Sequence, residues 1–201
     1  MGRAPGRGQP GALSATVQPG PDRALRALRL AERAGTLPPV LAFWGHTPRS
    51  AGPGPWLLSQ WWRSEFRVDG VRYRSAEMFM MAEKAALMGD LARRARILAT
   101  DDPRRCKALG RAVTPYDGQL WERERYAVVL RGSAAKFGQD PALRSYLAGT
   151  APAVLVEASP DDRVWGVGLD ADDPAVGSPS AWRGGNLLGL ALMQVRATLR
   201  P

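Results

Sequence analysis

Two short apolar runs with strand character lie at opposite ends of this chain, and most of what separates them has helical spacing. The first, VLAFWG, runs from Val40 to Gly45 behind Pro39; the second, APAVLVEAS, runs from Ala151 to Ser159. Both read as buried strands. Regular βαβ winding alternates strands with helices, and this chain does not. The pattern predicts an α+β fold: a single, mostly helical domain with a small β-sheet. A length of 201 residues and a hydrophobic fraction of 45% suit one sizeable core.

Local signals fill in the middle. EFRVDGVRYRS (65–75) alternates on both sides of Asp69-Gly70, a pair that tolerates positive φ and predicts a hairpin. Ser75 is placed to cap a helix through AEMFMMAEKAALMGD. LARRARILA, PRRCKALGRAV behind Pro103, residues 117–137 and a short run behind Pro141 predict further helices. In the 117–137 helix, Trp121, Val128 and Ala135 share a sevenfold spacing. VWGVGL (164–169) predicts a strand partner for APAVLVEAS, and GNLLGLALMQVRATL predicts a closing helix.

The start of the chain differs. Residues 1–20 are dominated by Gly and Pro and predict disorder. DRALRALRLAERA (22–34) has helical spacing, with Leu25 and Leu28, and Leu30 beside them, on one side. We therefore expect a disordered or partly helical basic extension over 1–38 and a folded domain over 39–201. The extension holds six Arg against Asp22 and Glu32, part of a formal charge of +9. Such a tail suits nucleic acid or acidic lipid, or is a solvated extension with no specific partner.

Composition excludes several chemistries. One cysteine, Cys106, rules out a disulfide framework and a cysteine-rich zinc site. One histidine, His46, rules out paired-His metal motifs. No apolar run is long enough to span a bilayer, and no secretory signal opens the chain, so a cytoplasmic location with no membrane partner is expected. No metal-ligand cluster and no organic cofactor motif is visible.

Glu77 and Lys84 lie seven residues apart on one predicted helix, within about 20° of two full turns, so both face the same way. Among methionines, a carboxylate and an amine are candidates for proton transfer; equally, they form a partly buried ion pair or two solvated charges. Glu157 ends the second apolar run beside Asp161, Asp162 and Trp165, which is either a site on a strand end or an ordinary turn. Trp182-Arg183-Gly184-Gly185-Asn186 precedes the last helix; its glycines suit a close backbone approach, and helix N–H groups there suit a phosphate, or it is only a loop. Seven tryptophans are enough to line a pocket, though core packing predicts that only one or two do so. His46 is either a ligand contact or an exposed loop imidazole.

Taken in order, FWGHTP, LSQWWRSEFRVDGVRYRSAEMFMMAEKAALMGD, LVEASPDDRVWGVGL and WRGGNLLGLALMQVR resemble the NADAR family of YbiA-like N-glycosidases over about residues 40–199. The resemblance implies a YbiA-like fold and hydrolysis of N-glycosidic bonds. The implied substrates are phosphorylated ribosylamino-pyrimidine intermediates of riboflavin synthesis, or ADP-ribose attached to guanine in nucleic acid. It implies Glu77, Lys84 and Asp162 as catalytic, and Gly45, His46, Ser59, Gln60, Trp165 and Asn186 as substrate-binding. Many relatives carry Ser-Asn where this chain has Ser59-Gln60, a change that alters reach toward ribose or phosphate. A carboxylate can stabilise the cationic ribose and activate water, while an acid protonates the leaving nitrogen. A desolvated lysine can instead attack an opened ribose aldehyde and form a Schiff base. The alternative is a noncatalytic module that binds ADP-ribose or nucleic acid. The implied partner is a nucleotide-like small molecule or ADP-ribosylated nucleic acid.

Overall fold

The computed structural model describes residues 20–199; the disorder expected for most of 1–20 lies outside the described residues. Helix α1 (Pro21–Arg33) leads into strand β1 (Val40–Phe43) and a 3-10 turn at Pro55–Leu58. Strands β2 (Phe66–Val68) and β3 (Val71–Tyr73) precede helices α2 (Ala76–Leu87), α3 (Leu91–Leu98), α4 (Pro103–Arg111), α5 (Gly118–Gln139) and α6 (Pro141–Gly149). Strand β4 (Val154–Glu157), a second 3-10 turn at Pro174–Gly177 and helix α7 (Leu187–Thr198) complete the order. The fold is α+β, dominated by helices.

Strands β1 and β4 pair in parallel, with Val40 opposite Val154 and Phe43 opposite Glu157. This corrects the partner expected from VWGVGL. That segment forms turns rather than a strand: Val167 donates to Glu157 O, and Arg183 donates to Val167 O. Its glycines explain why. A Cβ on Gly166 would lie 2.8 Å from Glu157 O, and Gly168 has φ +68°, so the segment crowds β4 without laddering along it. The hairpin forms as its turn residues dictate, with Asp69 at φ 49° and Gly70 at φ 79°.

Alternation along the β1–β4 ribbon separates two apolar clusters. Leu155 and Phe43 face a large helical core, while Val154 and Val156 face a smaller cluster with Val167, Leu169, Val176 and Trp182. Helix α2 runs through the larger core and is buried nearly all round, from Ala76 to Ala82. Ser75 Oγ caps it by accepting from Met78 N at 3.1 Å. The buried seam of α5 is Trp121, Val129, Gly132, Ser133, Lys136 and Phe137. Val128 and Ala135 are only partly buried, so the sevenfold reading is off by one position. A plain helix keeps a 3.6 period, and three of the six buried residues are small or polar, invisible to a hydrophobic count.

Leu25 and Leu28 of α1 pack on the smaller cluster, while Leu30 is exposed. Arg29 Nε donates to Pro179 O at 3.1 Å, and Glu32 accepts from Ser180 N at 2.9 Å and from the Ser178 hydroxyl. This helix is thus docked on the loop before α7. No described helix is long and apolar enough to cross a membrane.

Candidate active site

Because β1 and β4 are parallel, the chain leaves both at the same edge. There the Trp44–Thr47 and Glu157–Trp165 loops meet the Ser59–Trp61 turn and one face of α2 and α4, around a cavity of about 680 Å³. Of the residues named from sequence, Gly45, His46, Ser59, Gln60, Glu77, Lys84, Asp162 and Trp165 all line it. Asn186 does not. Four tryptophans (44, 61, 121 and 165) line the cavity, more than core packing predicts. His46 lies with its ring 5.6 Å from Trp61.

Glu77 is 3% exposed, and its Oε1 has no hydrogen-bond partner. Burial pushes its carboxyl up to about 7, with the Asp162 charge adding to the rise; Lys107, the Trp61 side chain and Arg111 oppose it. Glu157, half-buried at the end of β4, lines the same cavity with its Oε2 sealed and unpartnered. Burial, then the negative charges of Asp162 and Glu77, push it up to about 8, with Lys107 opposing. Two carboxyls, Glu77 buried and Glu157 half-buried, that bind protons near neutrality therefore line one cavity. Lys107 and Arg111, on α4, also line it and were not legible as site residues; their spacing of four on a helix places them on one face.

Lys84 faces the cavity two turns along from Glu77 but does not pair with it. Its Nζ donates to Gly110 O at 2.9 Å and sits 4.5 Å from the centre of the Tyr116 ring. Burial lowers its amine below the usual lysine value. Asp162 Oδ1 accepts from Val164 N at 2.9 Å and Trp165 N at 2.8 Å, so one carboxylate oxygen shapes the turn that presents the Trp165 ring. Cys106 is buried, and its thiol is pushed up to about 12 by that burial, in keeping with a structural role.

The Gly184-Gly185-Asn186 segment serves the protein rather than an open ligand site. Gly185, Asn186, Leu187 and Leu188 donate to Arg163 O, Gly166 O, Val164 O and Trp165 O, so the first two N–H groups of α7 and the two before them are consumed. A Cβ on Gly184 would lie 2.3 Å from Gly166 O. Asn186 is fully buried at φ 50°; its Oδ1 accepts from Glu157 N at 3.0 Å and its Nδ2 donates to Leu155 O at 2.9 Å. The physical reason for its absence from the cavity is that its amide is spent on β4, where it fixes the backbone of Glu157.

The NADAR domain matches residues 42–200, and the chain belongs to the NADAR family. It is 36% identical over 148 residues to N-glycosidase R617 of Acanthamoeba polyphaga mimivirus, covering 71% of this chain and 87% of the relative. It is 31% identical over 133 residues to N-glycosidase YbiA of Escherichia coli (strain K12), covering 66% and 74%. The NMR structure of E. coli YbiA superposes with a TM-score of 0.65 at 27% identity, covering 80% of this chain and 84% of that one.

Proposed function

We propose that this chain is an N-glycosidase that hydrolyses the C1′–N bond of phosphorylated ribosyl or ADP-ribosyl N-glycosides. The observation that carries the reading is the pair of carboxyls lining one cavity, raised to about 7 and about 8. At neutral pH such a pair holds both a proton to give and a carboxylate to receive one. In this reading Glu157 gives its proton to the departing nitrogen as the C1′–N bond breaks. Glu77, ionised, stabilises the oxocarbenium ion and takes a proton from the water whose oxygen bonds to C1′. Asp162 adds negative charge near the cationic sugar. Trp165 and Trp61 offer faces for base or ribose, with Gly45, His46, Ser59 and Gln60 along the same rim. Lys107 and Arg111 offer cations for phosphate oxygens, which favours a phosphorylated substrate.

The experiment is a side-by-side assay of ADP-ribosylated guanine in an oligonucleotide and of a phosphorylated ribosylamino-pyrimidine, with mass spectrometry of released base. Release of base by the native chain, and not by Glu77→Gln, is the expected result. Stoichiometric retention without release contradicts it and leaves a binding module. Borohydride added during turnover tests the covalent route: a ribosyl adduct on Lys84 assigns a Schiff base to it, and no adduct contradicts that route.

A further inference from the structure

Lys136 lies outside the cavity, on the last turns of α5, and is 2% exposed. Its Nζ donates to Leu57 O at 2.7 Å and to Ser59 O at 2.8 Å. No carboxylate pairs with it among the described residues. A buried amine without an ion partner is costly, and apolar residues of similar length fill a core better. What it holds is the turn that forms one wall of the cavity. Ser59 Oγ accepts from Trp61 N at 3.1 Å and Ser59 O from Trp62 N at 3.2 Å. The next residue, Gln60, accepts from Glu77 N at 2.9 Å through its carbonyl. A continuous set of hydrogen bonds therefore runs from Lys136 through the Leu57–Trp61 turn to the backbone of Glu77.

We propose that Lys136 is a positioning residue for the active site: it straps the Leu57–Trp61 turn against α2 and so keeps Glu77 sealed and Ser59, Gln60 and Trp61 in place. Burial lowers its amine to about 7, and an uncharged amine still has the two N–H groups that two carbonyls need. The catalytic part of this inference rests on the N-glycosidase reading above; the strap itself does not.

The test is Lys136→Met, close in length and without donors, with Lys136→Gln as the second variant where Met does not fold. Folding is checked by circular dichroism and a cooperative melt. Two readouts follow. The carboxyl 13C signal of Glu77 reports its titration with no substrate present: in the variant the midpoint drops from about 7 toward the ordinary value of 4.5, because a loosened turn admits water. On cleaved substrate, kcat falls by about 10- to 100-fold with KM changed less, as expected when reacting groups shift by a fraction of an ångström to 1 Å. A folded variant with the native Glu77 titration and native kcat overturns the proposal. If the native chain releases no base yet the Glu77 midpoint still moves in the variant, the strap stands and the N-glycosidase reading fails.

Discussion

The two walls of the cavity hold their carboxyls by different means. On the helical wall, Glu77 sits on α2 among Met78, Met80 and Met81, capped by Ser75 and packed by α4 and α5. Regular backbone geometry sets its direction, and apolar packing supplies the low-dielectric surroundings. On the other wall, Glu157 ends a four-residue strand and is fixed by its own backbone: Asn186 takes its N–H and Val167 donates to its carbonyl. That wall relies on Gly166 and Gly184, each placed where a Cβ would strike a carbonyl oxygen. A helix in a packed core can adjust a side chain; a backbone in contact with another backbone cannot. A change of volume against the helical wall should therefore cost stability but leave the site's geometry intact, and one against the strand-end wall should disturb both.

The largest effect expected is on chemistry. Glu77→Gln and Glu157→Gln each keep shape and remove a proton site, and each should lower turnover by about 10²–10⁴ with the fold retained. Kinetics on a single substrate measure this. Loss in only one of the two would make one wall the catalytic one and reduce the other to binding.

The contrast between walls is sharpened by two glycines. Gly184→Ala pushes a Cβ to 2.3 Å from Gly166 O, and Gly132→Ala pushes one to 2.5 Å from the Phe79 ring on α2. Both overpack and should cost about 1–3 kcal/mol of stability. Only Gly184→Ala should lose activity beyond what its folded fraction explains, because it displaces the Asp162–Trp165 turn. Two variants of matched stability that lose activity equally would erase the distinction.

Protonation gives a third test. Glu77 and Glu157 hold their protons more tightly folded than unfolded, since burial raises both. Their stabilising contribution is full below the ordinary glutamate value of 4.5 and is lost as pH rises through about 7 to about 8. Melting temperature should therefore fall across that window. Each tenfold difference in proton affinity between the folded and unfolded chain is worth about 1.4 kcal/mol, less whatever the fold relaxes away. Glu157→Gln should flatten the slope more than Glu77→Gln.

The smallest effect is expected at α1, which packs on the smaller cluster and lines no part of the cavity. Deleting residues 1–36 removes α1 from the smaller cluster and should lower Tm by a few degrees, while turnover of a small substrate stays nearly unchanged. A large loss of turnover would tie the extension to the site.

What was legible in the sequence follows the same division. Periodicity, a Ser cap and an Asp-Gly turn carry the helical wall and the hairpin, because these features depend on neighbours in sequence. The placement of Glu77 and Lys84 on one face of α2 follows from helical geometry alone. The parallel pairing of β1 with β4 does not, since it depends on residues far apart in the chain. The role of Asn186 was hidden for a related reason: an amide before a helix reads as a cap or a ligand group until β4 is seen beside it. Lys136 was invisible because a lone lysine on a helix is normally exposed, and only the turn at Leu57–Ser59 shows what it holds. Lys107 and Arg111 were lost among many basic residues on an arginine-rich chain.

In this site two carboxyls lining one cavity titrate in the neutral range, so that one gives a proton while the other receives one. Carboxyl 13C titration of Glu77 and Glu157 in the native chain tests this most directly, with each Gln variant assigning the signals. Midpoints near 7 for Glu77 and near 8 for Glu157 are expected, with the Glu157 midpoint moving downward in Glu77→Gln. Two independent titrations at the ordinary value of about 4.5 would contradict it.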